Sequence, residues 1–131
     1  MTEQLTLYEQ VGGQPFFDRL VDRFYDGIEA DTLLLPLYPD QSDLVGARRR
    51  LSLFLGQYWG GPTTYSDERG HPRLRARHFP FSIGAVERDR WLVHMRVAID
   101  ETDAPAAAKS RLHEYVTIAA DAMRNRDDGP A

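Results

Sequence analysis

Cysteine is absent from this chain, which removes disulfide staples, thiolate metal ligands, iron–sulfur clusters and a thiol nucleophile in one step. No apolar run approaches the roughly 18 residues that span a bilayer, and Met1-Thr2-Glu3-Gln4 has neither the positive flank nor the apolar stretch of a leader. A basic excess is missing as well. The 16 Lys and Arg stand against 20 Asp and Glu, net −4, so the surface as a whole does not invite nucleic acid or an anionic membrane. There is no Gly-x-Ser-x-Gly elbow, no paired catalytic carboxylates and no phosphate loop; Gly12-Gly13 and Gly60-Gly61 lack the surrounding pattern. These absences point away from hydrolase and nucleotide chemistry and predict a soluble, cytoplasmic protein. A length of 131 residues makes one domain, 1–131.

What is present is helical period. Leu5 to Val11 forms a short apolar pattern that stops at Gly12-Gly13. Phe16, Phe17, Leu20, Val21, Phe24, Tyr25 and Ile28 recur at three- and four-residue steps, which predicts a helix over about 15–30. Pro36 and Pro39 bracket Leu37-Tyr38 and hold the tyrosine in a turn. Ser42 or Asp43 can cap a next helix, with Leu44, Ala47, Leu51, Phe54, Leu55, Tyr58 and Trp59 on one face, until Gly60-Gly61-Pro62 ends it. Arg48, Arg49 and Arg50 are expected to look outward or sideways from it. Two more helices are predicted over about 85–101, with Trp91, Met95, Ala98 and Ile99 inward, and about 104–124, with Leu112, Tyr115, Val116, Ala119 and Met123 inward. Residues from Asn125 onward read as a frayed polar tail. With no strand pair and no repeat, the fold class is all-α.

Between the second and third long helices the sequence predicts an irregular connection over 60–80, with a hint of helical period only near Leu74 to His78. Such a connection is functional or disordered, and Trp59, Tyr65, Phe79 and Phe81 argue against disorder. Its stretch from Arg69 to Phe81 holds four arginines and two histidines with no acid, closing on Phe79-Pro80-Phe81. Cationic heads hold acidic groups, an imidazole holds a metal, and aromatics exclude water. A group that is anionic, flat, apolar and metal-bearing fits, and haem is one. From the residues alone, His78 is a metal ligand or a capping histidine, and a two-histidine site with His71 stays open although the spacing of a zinc-hydrolase helix is absent. His94 and His113 read as core or surface residues of helices. Tyr25, Tyr38 and Trp91 are three donors that could surround one cavity, or three ordinary core aromatics. The arginines could also hold RNA phosphates, against which stand the acidic net charge and the lack of any RNA-module signature.

Taken together, Tyr8-Glu9-Gln10-Val11-Gly12-Gly13, Arg23-Phe24-Tyr25, Leu37-Tyr38-Pro39, Gln57-Tyr58-Trp59-Gly60-Gly61-Pro62, Tyr65-Ser66, Arg69-Gly70-His71-Pro72-Arg73-Leu74-Arg75, Arg77-His78, Phe81 and Glu87-Arg88-Asp89-Arg90-Trp91 resemble the truncated haemoglobins of the second group, over Leu7 to Met123. The resemblance implies a two-over-two helical sandwich holding haem b, with His78 as the proximal ligand and metal-binding residue. Tyr38 and Trp91 would hydrogen-bond a diatomic ligand, supported by Tyr25. Ala47 matches the place where ordinary globins put a distal histidine and leaves an open gate. Leu51 and Phe54 would lie over the distal face, and Arg50, Tyr65 and Arg75 near the propionates. His71 becomes a structural or propionate-side residue. The implied function is reversible binding of dioxygen and other diatomic ligands with slow release. The alternative is peroxidase-like or nitric-oxide-detoxifying turnover with an unidentified reductase. The oligomeric state stays open, with a homodimer one option because the family commonly associates.

Overall fold

The structure is a computed structural model and describes residues 5–38 and 44–126. The described residues are helical, with no strand. Helix α1 (Leu7–Gln10) opens on a capping box, in which the Thr6 hydroxyl accepts from the Glu9 N–H while the Glu9 carboxylate accepts from the Thr6 N–H. Helix α2 (Gln14–Glu29) has Pro15 in its first turn, where a missing N–H costs nothing, and buries Phe16, Phe17, Leu20, Val21, Phe24, Tyr25 and Ile28. A 3-10 turn (Leu35–Leu37) leads to Tyr38. Then follow α3 (Leu44–Tyr58), α4 (Thr64–Arg69), α5 (Leu74–His78), α6 (Ala85–Asp100) and α7 (Ala106–Ala122).

Helix α2 packs on both α3 and α6, and α6 packs on α7, so that two helix pairs lie over one another around a single core. The core is largely aromatic at α2. Phe16 and Phe17 meet edge to face at 5.2 Å, and Phe24 meets Trp91 of α6 at 5.3 Å, which ties the two layers. Helix α1 seats on the glycine turn after α3. Gly60 has φ +107°, and a Cβ on Gly61 would lie 2.4 Å from the Tyr8 ring, so a side chain there would push α1 away.

Several sequence expectations change. The connection over 60–80 is not irregular throughout: it contains α5, where the hint of helical period at Leu74 to His78 is borne out, and α4, which is too short to show a periodic apolar face. Tyr58 does not point inward but is 52 % exposed, because the apolar stripe of α3 runs past the edge of the core in its last turn. Of the two orientations expected for Arg48 the structure shows the sideways one, with Asp22, Asp26 and Glu29 of α2 clasping its guanidinium at 3.2, 3.1 and 2.9 Å. The last helix begins at Ala106, after Pro105, rather than near Ala104. Asn125 and Arg126 are hydrogen-bonded into the domain rather than frayed; the rest of the expected tail, 127–131, lies outside the described residues, as do the expected caps Ser42 and Asp43. Among the described residues no helix is long and apolar enough to cross a membrane.

Candidate haem cavity

A cavity of about 250 Å³ opens between the layers, walled mainly by leucine, phenylalanine, methionine and alanine side chains. The polar groups reaching it are few: the Tyr25, Tyr38 and Tyr115 phenols, Trp91, His78, Glu87 and Arg88. A concave apolar site with a small number of placed polar groups is the usual form of a ligand site.

His78 is the last residue of α5, and its orientation follows from one bond. Its Nδ1 lies 2.7 Å from the Leu74 carbonyl one turn back. A carbonyl can only accept, so Nδ1 carries the proton and Nε2 is left as a lone-pair donor. That is the arrangement in which histidines bind metals, the second nitrogen being held by an acceptor. His71 is placed differently. It is exposed, does not line the cavity, and its Nδ1 accepts the Arg73 N–H at 3.1 Å, closing the tight turn in which Arg73 takes φ +44°. Among the described residues no three His, Asp or Glu side chains gather as a metal site, so a metal here needs further donors brought by the ligand itself.

Across the cavity, Tyr25 and Tyr38 are hydrogen-bonded to each other, with ring centroids 5.7 Å apart. Burial raises the Tyr25 phenol above its ordinary 10; the bond to Tyr38 and the charges of Arg50 and Arg48 offset only part of this. Burial, and then Tyr25 itself, push the Tyr38 phenol well above 10. Both are therefore neutral phenols at neutral pH. Two hydroxyls joined by one bond keep one O–H for a third partner. The Trp91 indole lines the cavity beside them and brings its N–H as a second donor.

Apolar walls, an imidazole on the lining with Nε2 left as a lone-pair donor, and neutral donors are a haem chemistry, and the residues present fit that group. A family model of bacterial-like globins matches residues 6–125. A group 2 truncated hemoglobin of Bacillus subtilis is 38% identical over 121 residues, 92% of this chain and 89% of its own length. The chain belongs to the group 2 truncated haemoglobins. Solved relatives agree with this globin throughout. A thermostable hemoglobin from Thermobifida fusca superposes with TM-score 0.89 at 59% identity, over 92% of this chain and 98% of the other. A structure described as truncated oxygen-avid haemoglobin from Bacillus subtilis gives 0.85 at 38%, over 92% and 100%.

Of the residues singled out in the sequence, Tyr25, Tyr38, Leu51, Phe54, His78 and Trp91 line the cavity of this globin. Ala47 is partly buried one turn before Leu51 on α3, and Tyr65 is buried with its ring edge-on to Phe54 at 5.7 Å. Arg50 lies close enough for its charge to act on the Tyr25 phenol, and Arg75 is exposed on α5. Other residues reach the cavity that the sequence reading had placed only in the core. Met95 stands one turn after Trp91, and Tyr115, Ala119 and Met123 share one face of the last helix, so i,i+4 spacing from a known cavity residue could have found them. The Tyr115 ring also lies tilted against Tyr58 with centroids 4.1 Å apart, and burial, helped by Tyr58, pushes its phenol up to about 12.

Proposed function

We propose that this globin holds haem b in the cavity through His78 Nε2 and binds dioxygen and other diatomic ligands reversibly, with slow release. Haem supplies a ferrous iron that takes a diatomic ligand. The chain supplies the rest. The bond from His78 Nδ1 to the Leu74 carbonyl is the observation that carries the reading, because it fixes the tautomer and the ring plane together. The leucine and phenylalanine walls exclude water from the ligand space. The spare O–H of the Tyr25/Tyr38 pair and the Trp91 N–H hold a ligand that carries partial negative charge, and each such bond slows its escape.

The same proposal puts Ala47 at the entrance, since it shares the cavity-facing side of α3 with Leu51. It puts Arg50, Arg75 and Tyr65 on the propionate side. Arg75 stands three residues before His78 on the same short helix. A reductase belongs to the reading because dioxygen needs ferrous iron; a cytoplasmic setting and a homodimer are carried with it, and light scattering decides the last. The relative described as oxygen-avid supports slow release.

Reconstitution with haem should give a Soret band, and its absence discards the proposal. Trp91→Phe removes one donor without emptying the wall, and stopped-flow measurement of dioxygen release should then run about 10- to 100-fold faster. An unchanged rate would take Trp91 out of the ligand-holding set.

A further inference from the structure

The segment after α7 turns back onto the residues that carry His78. The Asn125 side-chain amide donates to the His78 carbonyl at 3.1 Å and to the Phe81 carbonyl at 2.7 Å, 47 and 44 residues away in sequence. Its Oδ1 accepts the Ile83 N–H at 2.9 Å, and its own main-chain N–H donates to the Ile83 carbonyl at 2.9 Å. Arg126 adds a main-chain bond to that carbonyl at 3.2 Å, one from its guanidinium to the Ser82 hydroxyl at 3.0 Å, and one to the buried Glu87 carboxylate at 2.6 Å. Glu87 in turn accepts the Gly84 N–H at 2.7 Å, which starts α6.

These bonds fall where the local structure is weakest. Helix α5 has five residues, far below the roughly 12 that an isolated helix needs, and His78 is its final one. The carbonyls of a helix's last turn have no partner within the helix and must find one elsewhere. At the other end of α5 the Arg77 guanidinium ties the chain to the Pro72 carbonyl at 2.7 Å and the Arg69 carbonyl at 3.2 Å. At the histidine end, the His78 carbonyl accepts the Phe81 N–H at 3.0 Å, and Asn125 supplies a second donor. It grips the His78 carbonyl and the turn through Ile83 together, so the rotation of α5 about its own axis is set from the C-terminal segment.

We infer that Asn125, seconded by Arg126, is a positioning residue for the His78 imidazole, so that the hold this imidazole would have on haem iron depends on the C-terminal clasp. The inference rests on the reading of His78 as the haem ligand. The test uses the holoprotein in its ferrous, ligand-free form, with resonance Raman detection of the iron–histidine stretching band and the rate of haem transfer to an apo-globin scavenger. Asn125→Ala removes all three side-chain bonds. Asn125→Asp keeps an acceptor for Ile83 and removes only the two donations to His78 and Phe81.

Both variants should shift the band and lose haem several-fold faster, less than the about 10- to 100-fold found when the direct partner of a metal-binding imidazole, here the Leu74 carbonyl, is removed. Their apoprotein melting temperatures should stay near the parent's, since the bonds lie at an exposed surface. An unmoved band in both variants overturns the proposal, and so does a lowered melting temperature with an unmoved band, which would make Asn125 a fold-stabilising cap. A parent holoprotein with no iron–histidine band overturns the His78 reading itself, an outcome separate from the other two.

Discussion

The two walls of the cavity are built by different means. The wall carrying Tyr25 and Trp91 belongs to the hydrophobic core: α2 alone buries seven side chains, and Phe24 is in edge contact with both Tyr25 and Trp91. The wall carrying His78 has almost no core of its own. Helix α5 buries nothing, and α4 buries only Tyr65. Polar bonds hold it instead: the Gln57 amide to Ser66, Arg77 to the carbonyls of Pro72 and Arg69, and Asn125 to those of His78 and Phe81. Apolar burial is worth about 1.5–3 kcal/mol per large side chain, whereas an exposed hydrogen bond nets about 1 kcal/mol or less. The donor wall is therefore expected to be stable before a cofactor arrives, and the histidine wall to be completed by the cofactor.

The largest effect that tests this contrast is His78→Gly. It removes the one imidazole that lines the cavity and leaves the opposite wall untouched. Stable haem retention should be abolished, read as loss of the Soret band on gel filtration, and added free imidazole should restore part of it. Retention of haem at parental levels by the glycine variant would move the axial bond to another residue.

Next comes the cofactor-dependence of backbone protection. Amide exchange in the apoprotein should speed up most between Gly60 and Phe81 and least along α2, whose amides open only with the core. Equal protection of 60–81 with and without haem would mean that the polar bonds alone order the histidine wall. A larger loss in α2 than in α5 would reverse the comparison.

The same physical difference decides what could be read from sequence. The core-built wall repeats every three or four residues, so Phe16 through Ile28 disclosed α2 and its buried face directly. In the other wall, α5 showed only a trace, since Leu74 and His78 are a single i,i+4 pair. Helix α4 showed none, with one buried residue in six. Asn125 was invisible in principle. A side-chain amide that bonds main-chain carbonyls more than forty residues away leaves no period and no composition signal, and polar residues at a chain end look like a solvated tail. Tyr58 failed in the opposite sense, for its period was right but the core ends one turn before it.

Polar clasps serve the donor wall too, and the one at Asp31 gives the smallest of these effects. Asp31 is buried at the end of α2, where its Oδ1 accepts the Leu33 and Leu34 N–H groups at 2.9 and 3.2 Å. Its Oδ2 lies 3.1 Å from Arg90 Nε and 2.7 Å from His94 Nε2 on α6, so it links the turn that leads to Tyr38 with the helix that carries Trp91. Burial opposes the charge, but the bonds from His94, Leu33, Leu34 and Arg90 outweigh it and lower the carboxyl from 3.8 to about 2. A carboxyl depressed in the folded state adds stability above its unfolded value, and that stability is lost as pH falls through the folded one. The contribution, about 2 kcal/mol, is thus complete near pH 5 and disappears between about pH 4 and 2. Asn at position 31 does not titrate there, so in urea unfolding of the apoprotein the stability gap between parent and Asp31→Asn should narrow by that amount over the window. A gap that stays constant would show that Asp31 titrates alike in the folded and unfolded chains. The charge of Asp31 would then add nothing to the donor wall, and the contrast with the histidine wall would be sharper than the Asp31 clasp now makes it.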